Sequence, residues 1–225
     1  MQLESGLSLL EIRYPGRCLD KEEVGQWFTT ILQNKLKAYQ ELFGPQAFPF
    51  DRLDLLSRHF VVLYSENGKT TPVSGFQVQD LATCQETKVP FPGVQMLIYN
   101  QASEMLNWLK ANMGTNPIWF GSYFNSAGAL KRQWGRQIRN LISLMICEII
   151  REQTDRAFSF ASEASMVLPY FQSIGFGPCP VEQPMLSHPY YDTTLKMIWF
   201  EEFKEEVEEA ISEIKHFWNQ RLILE

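Results

Sequence analysis

Two periods of hydrophobic and polar positions alternate along this chain, and the changes of period mark its elements. Ser8 to Tyr14 reads as a short strand closed by Pro15-Gly16. Asp20 and Glu23 then make a helix-start pattern. Val24, Trp27, Phe28, Ile31, Leu32, Leu36, Tyr39 and Phe43 recur at helical spacing until Gly44-Pro45 stops the helix. His59 to Tyr64 and Thr71 to Gln79 read as strands of a hairpin, because both Asn67 and Gly68 tolerate positive φ. Asp80 to Asn100, with Pro90 and Pro92, reads as a long irregular stretch that helps shape a pocket. A helix is expected from Ser103 to Met113, ended by Gly114. Pro117 to Asn125 reads as a strand rich in aromatics: Trp119, Phe120, Tyr123 and Phe124. An apolar helix then runs to about Glu152 through Ile138, Leu141, Ile142, Met145, Ile146 and Ile149. Ala157 to Ala161 reads as a buried strand, Ser165 to Ser173 as a short helix, and Gly175-Phe176 as the start of an extended segment. Leu195 to Phe200 is an apolar strand. A charged helix follows, with Phe203, Val207, Ile211, Ile214 and Trp218 along one stripe.

Strands interleaved with helices predict an α/β (α+β) fold, a mixed central sheet flanked by helices with an extra acidic helix at the C-terminal end. Residues 1–200 read as one domain. Residues 201–225 read as an amphipathic helix packed on that domain or at a dimer interface, so the chain is expected as a monomer or homodimer.

Composition narrows the class. The 225 residues are 45% hydrophobic and 20% charged, so the chain can bury a full core and is not disordered. The net charge of −6 argues against a general nucleic-acid or anionic-membrane binder. Most of that acidity is local: residues 201–225 hold eight Glu against Lys204, Lys215 and Arg221. Cys18, Cys84, Cys147 and Cys179 form no CxxC pair, and with only three histidines no metal site is expected. Cys147 is expected as an inert core thiol, and Cys179, between Pro178 and Pro180, at the surface. Met1 to Leu10 lacks a basic leader and contains Glu4, and Leu141 to Ile150 is interrupted by Glu148, so a cytoplasmic, soluble protein is expected.

The chemistry concentrates where the aromatic strand gives way to the apolar helix. Lys131, Arg132, Arg136 and Arg139 lie close together around the helix start at Trp134-Gly135. A helix N-terminus offers unpaired N–H groups and a positive dipole end, and guanidinium groups there suit a phosphate or pyrophosphate. Gly135 has no Cβ, so an anion can approach its backbone.

Arg132-Gln133-Trp134-Gly135-Arg136-Gln137 resembles the acyl-CoA pyrophosphate loop of the Gcn5-related N-acetyltransferase superfamily, Gln/Arg-x-x-Gly-x-Gly/Ala. Gln137 departs from the small residue usual at the last position. Tyr170 to Phe176 resembles that superfamily's Tyr-x-x-x-Gly-Phe signature, and the element order over residues 7–200 agrees. The resemblance implies that Arg132, Gln133, Trp134, Gly135, Arg136 and Gln137 hold the pyrophosphate. It also implies that a backbone N–H at Phe124 or Asn125 polarises the thioester carbonyl. Phe50-Asp51-Arg52-Leu53-Asp54, with the hairpin that follows, is similar to the acyl-homoserine-lactone synthase and long-chain N-acyl amino acid synthase branch.

The implied activity is N-acyl transfer from acyl-CoA (acetyl or longer) or acyl carrier protein to the amino group of a small amine or amino acid. An acidic carrier protein would suit the basic cluster. The strand Trp119 to Asn125 carries no carboxylate for the usual general base, and Phe171 stands where the usual general-acid tyrosine would be. The remaining catalytic candidates are Tyr170, one residue away on the helix, and His188 in Ser187-His188-Pro189. The losses also admit an alternative, a non-catalytic acyltransferase-like binding protein.

Overall fold

A computed structural model describes residues 6–125, 135–154, 156–162, 167–182, 184–203 and 205–225, the side chains of Arg136, Val167, Ala210, Glu213 and Ile214 excepted. The chain forms two compact units. One comprises residues 1–78, 122–148 and 208–225, and the other comprises residues 79–121 and 149–207.

The first unit is built on an antiparallel hairpin. β1 (Leu7–Arg13) pairs with β2 (Arg58–Glu66), and β2 pairs with β3 (Lys69–Asp80). Asn67 and Gly68 make the turn with φ of 51° and 74°, so Glu66 faces Lys69. Helix α1 (Glu22–Phe43) buries Val24, Phe28 and Ile31 against Leu10, Ile12, Val61 and Leu63. It starts one residue past the expected cap: Lys21, not Asp20, holds the N-cap position, and no side chain caps it. Glu22 and Glu23 occupy the first turn, where carboxylates favour the dipole. Gly44 ends the helix at φ 95°, its N–H on the Gln40 carbonyl. A short helix, α2 (Leu53–Leu56), precedes β2.

The second unit opens with two helices where an irregular stretch was expected, α3 (Leu81–Thr87) and α4 (Pro92–Tyr99). Asp80 caps α3 through a 2.6 Å bond from the Thr83 N–H, and Pro92 sits in the first turn of α4. Helix α5 (Ser103–Asn112) follows, burying Met105 and Leu109. Strand β4 (Ile118–Asn125) pairs in parallel with β5 (Ala157–Ser162) through Phe120–Ser159. β8 (Thr194–Phe200) pairs antiparallel with β5, with β6 (Phe176–Pro178) and with β7 (Leu186–Ser187). Helix α7 (Val167–Ser173) precedes β6. Cys179, expected at the surface, is buried in this unit's core, its N–H bonded to the Met197 carbonyl at 3.1 Å.

Four elements pass from one unit to the other. β3 does so after Val78, and the last helix, over Glu205–Asn219, after Val207. β4 crosses between Gly121 and Ser122, where Ser122 takes the left-handed φ of 50°. Helix α6 (Gly135–Gln153) crosses after Glu148. The last helix, α8 (Glu205–Asn219), leads into β9 (Leu222–Leu224), which lies parallel to β1. The fold is therefore the expected mixed sheet with flanking helices, and its strand pairings are mostly antiparallel. None of the described helices is long and apolar enough to cross a membrane.

Candidate functional site

The end of β4 carries two kinds of side chain, because successive residues of a strand face opposite sides. Phe124 is buried in the core beneath α1. Its ring explains Gly75 on β3: a Cβ there would lie 2.8 Å from the ring and 2.7 Å from the Phe60 carbonyl oxygen. Tyr123 and Asn125 take the other side. Asn125 Oδ1 accepts from Ser74 Oγ at 2.7 Å and from the Tyr123 hydroxyl at 3.1 Å. Ser74, on β3, is fully buried, and its Oγ also lies 3.2 Å from the Phe124 carbonyl oxygen. Burial raises the Tyr123 pKa, while hydrogen bonds with Ser74 and Asn125 and the charge of Arg139 pull the other way. The hydroxyl therefore stays protonated at neutral pH and acts as a donor.

Arg139 belongs to α6, so the side-chain cluster on β4 lies within electrostatic reach of that helix's first turns. Gly135 is the buried first residue of α6, Gln137 is half-buried and Arg139 is exposed. The first turn contains no acidic residue to oppose an anion. Ile138, Leu141, Ile142 and Met145 anchor the helix in the core. Arg136 stands in the first turn. Lys131, Arg132, Gln133 and Trp134 lie outside the described residues. The first unit thus holds Phe124, Asn125, Gly135, Arg136 and Gln137.

Tyr170 and His188 belong to the second unit and have separate surroundings. Tyr170 packs edge-on against Phe171. Phe171 is buried and stacks edge-on against Phe176, which meets Phe120 and Phe200 in the same way. No hydroxyl enters that cluster through residue 171. His188 lies face-to-face with Tyr191 at 4.3 Å, and its Nδ1 accepts the Tyr190 N–H at 3.1 Å. Burial lowers its pKa to about 4. The ring is neutral at pH 7, and the nitrogen free of a proton is already occupied, so it is a weak base.

The same unit holds an apolar groove of about 400 Å³ between α3, the start of α4 and the end of α5. Leu81, Cys84, Val89, Phe91, Val94 and Met113 line it, and Lys88 stands at its edge. Burial raises the Cys84 thiol to about 11, which makes it inert there. Among the described residues no group of three or more His, Cys, Asp or Glu could hold a metal ion.

Sequence reasoning missed Ser74 and Tyr123 as site residues. The signal for Tyr123 was present: the polar side chains at positions 123 and 125 share one face of a strand rich in aromatics. Ser74 is joined to them only by the pairing of strands far apart in sequence, which no local pattern reports.

Comparison with solved structures identifies the fold. The chain is similar to Escherichia coli ElaA, with 14% identity and a TM-score of 0.51 over 87% of this chain and 99% of that one. It is similar to the CoA-dependent acyl-homoserine lactone synthase BjaI, solved with SAM and isopentyl-CoA, with 14% identity and a TM-score of 0.55 over 97% and 93% of the two chains. It is also similar to the acyl-homoserine lactone synthase LasI, at 9% identity and a TM-score of 0.52 over 89% and 92%. No protein-family model and no curated protein sequence matches the chain. The likeness is one of fold: this is the fold of the Gcn5-related N-acetyltransferases and of the acyl-homoserine lactone synthases.

Proposed function

We propose that this chain is an N-acyltransferase that moves an acyl group from acyl-CoA, or from acyl carrier protein, to the amino group of a small amine or amino acid. One observation carries the reading: β4 ends in a polar cluster within electrostatic reach of a helix that starts on a buried glycine, has arginines in its first turns and lacks acid there. Its setting is a fold shared with a CoA-dependent acyl-homoserine lactone synthase. The pyrophosphate binds at the start of α6, through Arg132, Gln133, Trp134, Gly135, Arg136 and Gln137. The thioester lies along the end of β4 at Phe124 and Asn125.

The reaction asks little of side chains. A neutral amine attacks the thioester carbon, the C–S bond breaks, and the thiol leaves with a proton lost by the amine. Holding both reactants in line and stabilising the oxyanion supply most of the acceleration. With His188 a weak base and Phe171 without a hydroxyl, water takes the amine proton in this reading. Release of thiol from acetyl-CoA and from long-chain acyl-CoA, followed with a panel of amines, tests it. Arg132→Glu is expected to weaken binding of CoA at least tenfold, and unchanged affinity would sink the pyrophosphate site.

Phe171 and the engaged His188 favour a second reading, a binding module that retains CoA affinity without turnover. Affinity for acyl-CoA with no thiol release under any amine would select it.

A further inference from the structure

The carboxamide of Asn125 is held in one orientation with its donor group left over. Its Oδ1 accepts from two hydroxyls, those of Ser74 and Tyr123, which come from neighbouring strands and fix the plane of the amide. Ser74 is fully buried, so that anchor cannot swing away. Nδ2 is on the other side of the amide, and none of the described hydrogen bonds uses it. Asn125 itself is half-buried, at the last position of β4. An oriented N–H donor beside a protected strand end is built to meet an acceptor that is not part of the protein.

We infer that Asn125 Nδ2 donates a hydrogen bond to a carbonyl oxygen of a bound pantetheine thioester, with Ser74 and Tyr123 as positioning residues that aim it. The inference rests on the acyl-thioester reading above. It adds a side-chain donor to the backbone N–H expected at Phe124 or Asn125. Two carbonyls of such a ligand share this chemistry: the thioester carbonyl, and an amide carbonyl of the pantetheine arm. A purely structural role differs in one respect, since it needs only Oδ1, the acceptor for the two hydroxyls.

Asn125→Asp separates the two roles. The variant keeps an acceptor for Ser74 and Tyr123 and loses the donor at neutral pH. When protonated, its second oxygen becomes an O–H donor at the position of Nδ2. Affinities of the full chain for acetyl-CoA and for CoA would be measured by calorimetry between pH 4.5 and 8, for wild type and N125D. At pH 8 the variant should bind acetyl-CoA about five- to tenfold more weakly than wild type, the usual worth of one neutral hydrogen bond. The gap should close as pH falls through the carboxyl's titration, a recovery that a structural role does not predict. If CoA affinity is unchanged in N125D, the acceptor is the thioester carbonyl; if it falls in parallel, the acceptor is a pantetheine amide. Ser74→Ala and Tyr123→Phe should each give a smaller loss with no recovery at low pH. Equal binding by N125D and wild type at every pH overturns the role of Asn125 and leaves the acyltransferase reading standing. A wild-type chain that binds neither ligand overturns both.

Discussion

Lys35 sits on the apolar stripe of α1, one turn beyond Ile31, and is only 2% exposed. Its ammonium meets Asp54 Oδ1 at 2.6 Å, and Asp54 is 3% exposed. Gln77 Nε2 also donates to Asp54 Oδ1, and the Asp51 N–H donates to Oδ2 at 2.9 Å. Burial lowers the Lys35 pKa against the pull of Asp54. Asp54→Ala leaves that ammonium buried without its carboxylate and is expected to cost about 3–5 kcal/mol of folding stability. Replacing both partners, as in K35M with D54L, should recover most of the loss, and urea denaturation of the three proteins measures it. His59 adds a pH dependence to the same network. Its Nε2 lies 2.7 Å from the Asp54 carbonyl oxygen, and burial lowers its pKa to about 4. In the unfolded chain it titrates near 6.5, so between these values the unfolded state holds more protons and stability falls as pH drops. The full contribution, roughly 3 kcal/mol, is present above pH 6.5 and is lost on approach to pH 4. His59→Gln should flatten the stability curve over that window, and an unchanged curve would refute the assignment. None of this was legible from periodicity. The helical pattern of α1 was, but nothing local in that pattern marks Lys35 as buried, because its partner lies 19 residues on.

At the scale of elements, the long and periodic segments were readable and the short ones were not. The stripe from Val24 to Phe43 and the apolar face of α6 each span enough residues to declare a period, while Asn67-Gly68 declares its turn by tolerating positive φ. Helices α3 and α4, of seven and eight residues, are set by single features, the Asp80 cap and Pro92, so their stretch read as irregular. β9 has three residues and is defined only by pairing with β1. Yet the C-terminal segment closes its unit. Trp218 is 1% exposed and stacks on Phe60, and Arg221 lies 3.8 Å above the Trp218 ring. Arg221 Nε donates at 2.8 Å to Glu11 Oε2, while Arg13 and Arg58 hold Oε1. Burial would push the Glu11 pKa up, but Arg58 and the hydrogen bonds from Arg13 and Arg221 outweigh it and keep it below the ordinary carboxylate value. Lys215 reaches a second buried carboxylate, Glu148, at 3.5 Å. Arg221→Ala should therefore cost about 1.5–3 kcal/mol, the worth of a hydrogen bond to a charged group. Arg221→Lys keeps the charge without the planar stack and should recover only part of that, read from denaturation midpoints. Deleting residues 208–225 should abolish cooperative unfolding of the first unit, and a truncated chain with wild-type stability would show that the segment is dispensable.

For the whole molecule, the net charge of −6 is a poor guide to ligands, because residues 201–225 carry −5 of it. The rest is nearly neutral, so an anionic thioester would be attracted by a local cluster and not by the overall field. That distinction can be measured. A ligand at a hundred times its dissociation constant stabilises a protein by about 2.7 kcal/mol, a shift of several degrees. CoA, acetyl-CoA and a long-chain acyl-CoA should each raise the melting temperature at low salt. If the two units melt separately, the transition of the unit holding Asn125 and the start of α6 should move. Exposed guanidinium groups such as that of Arg139 are screened as the Debye length shrinks from about 10 Å at 0.1 M salt to about 3 Å at 1 M. The CoA shift should therefore shrink with salt. Burial of an acyl chain does not depend on screened charge, so the long-chain ligand should keep more of its shift. A CoA shift indifferent to salt would remove the basic helix start from the binding site. Equal losses for CoA and long-chain acyl-CoA would place the acyl chain in solvent, and a short-chain donor would follow.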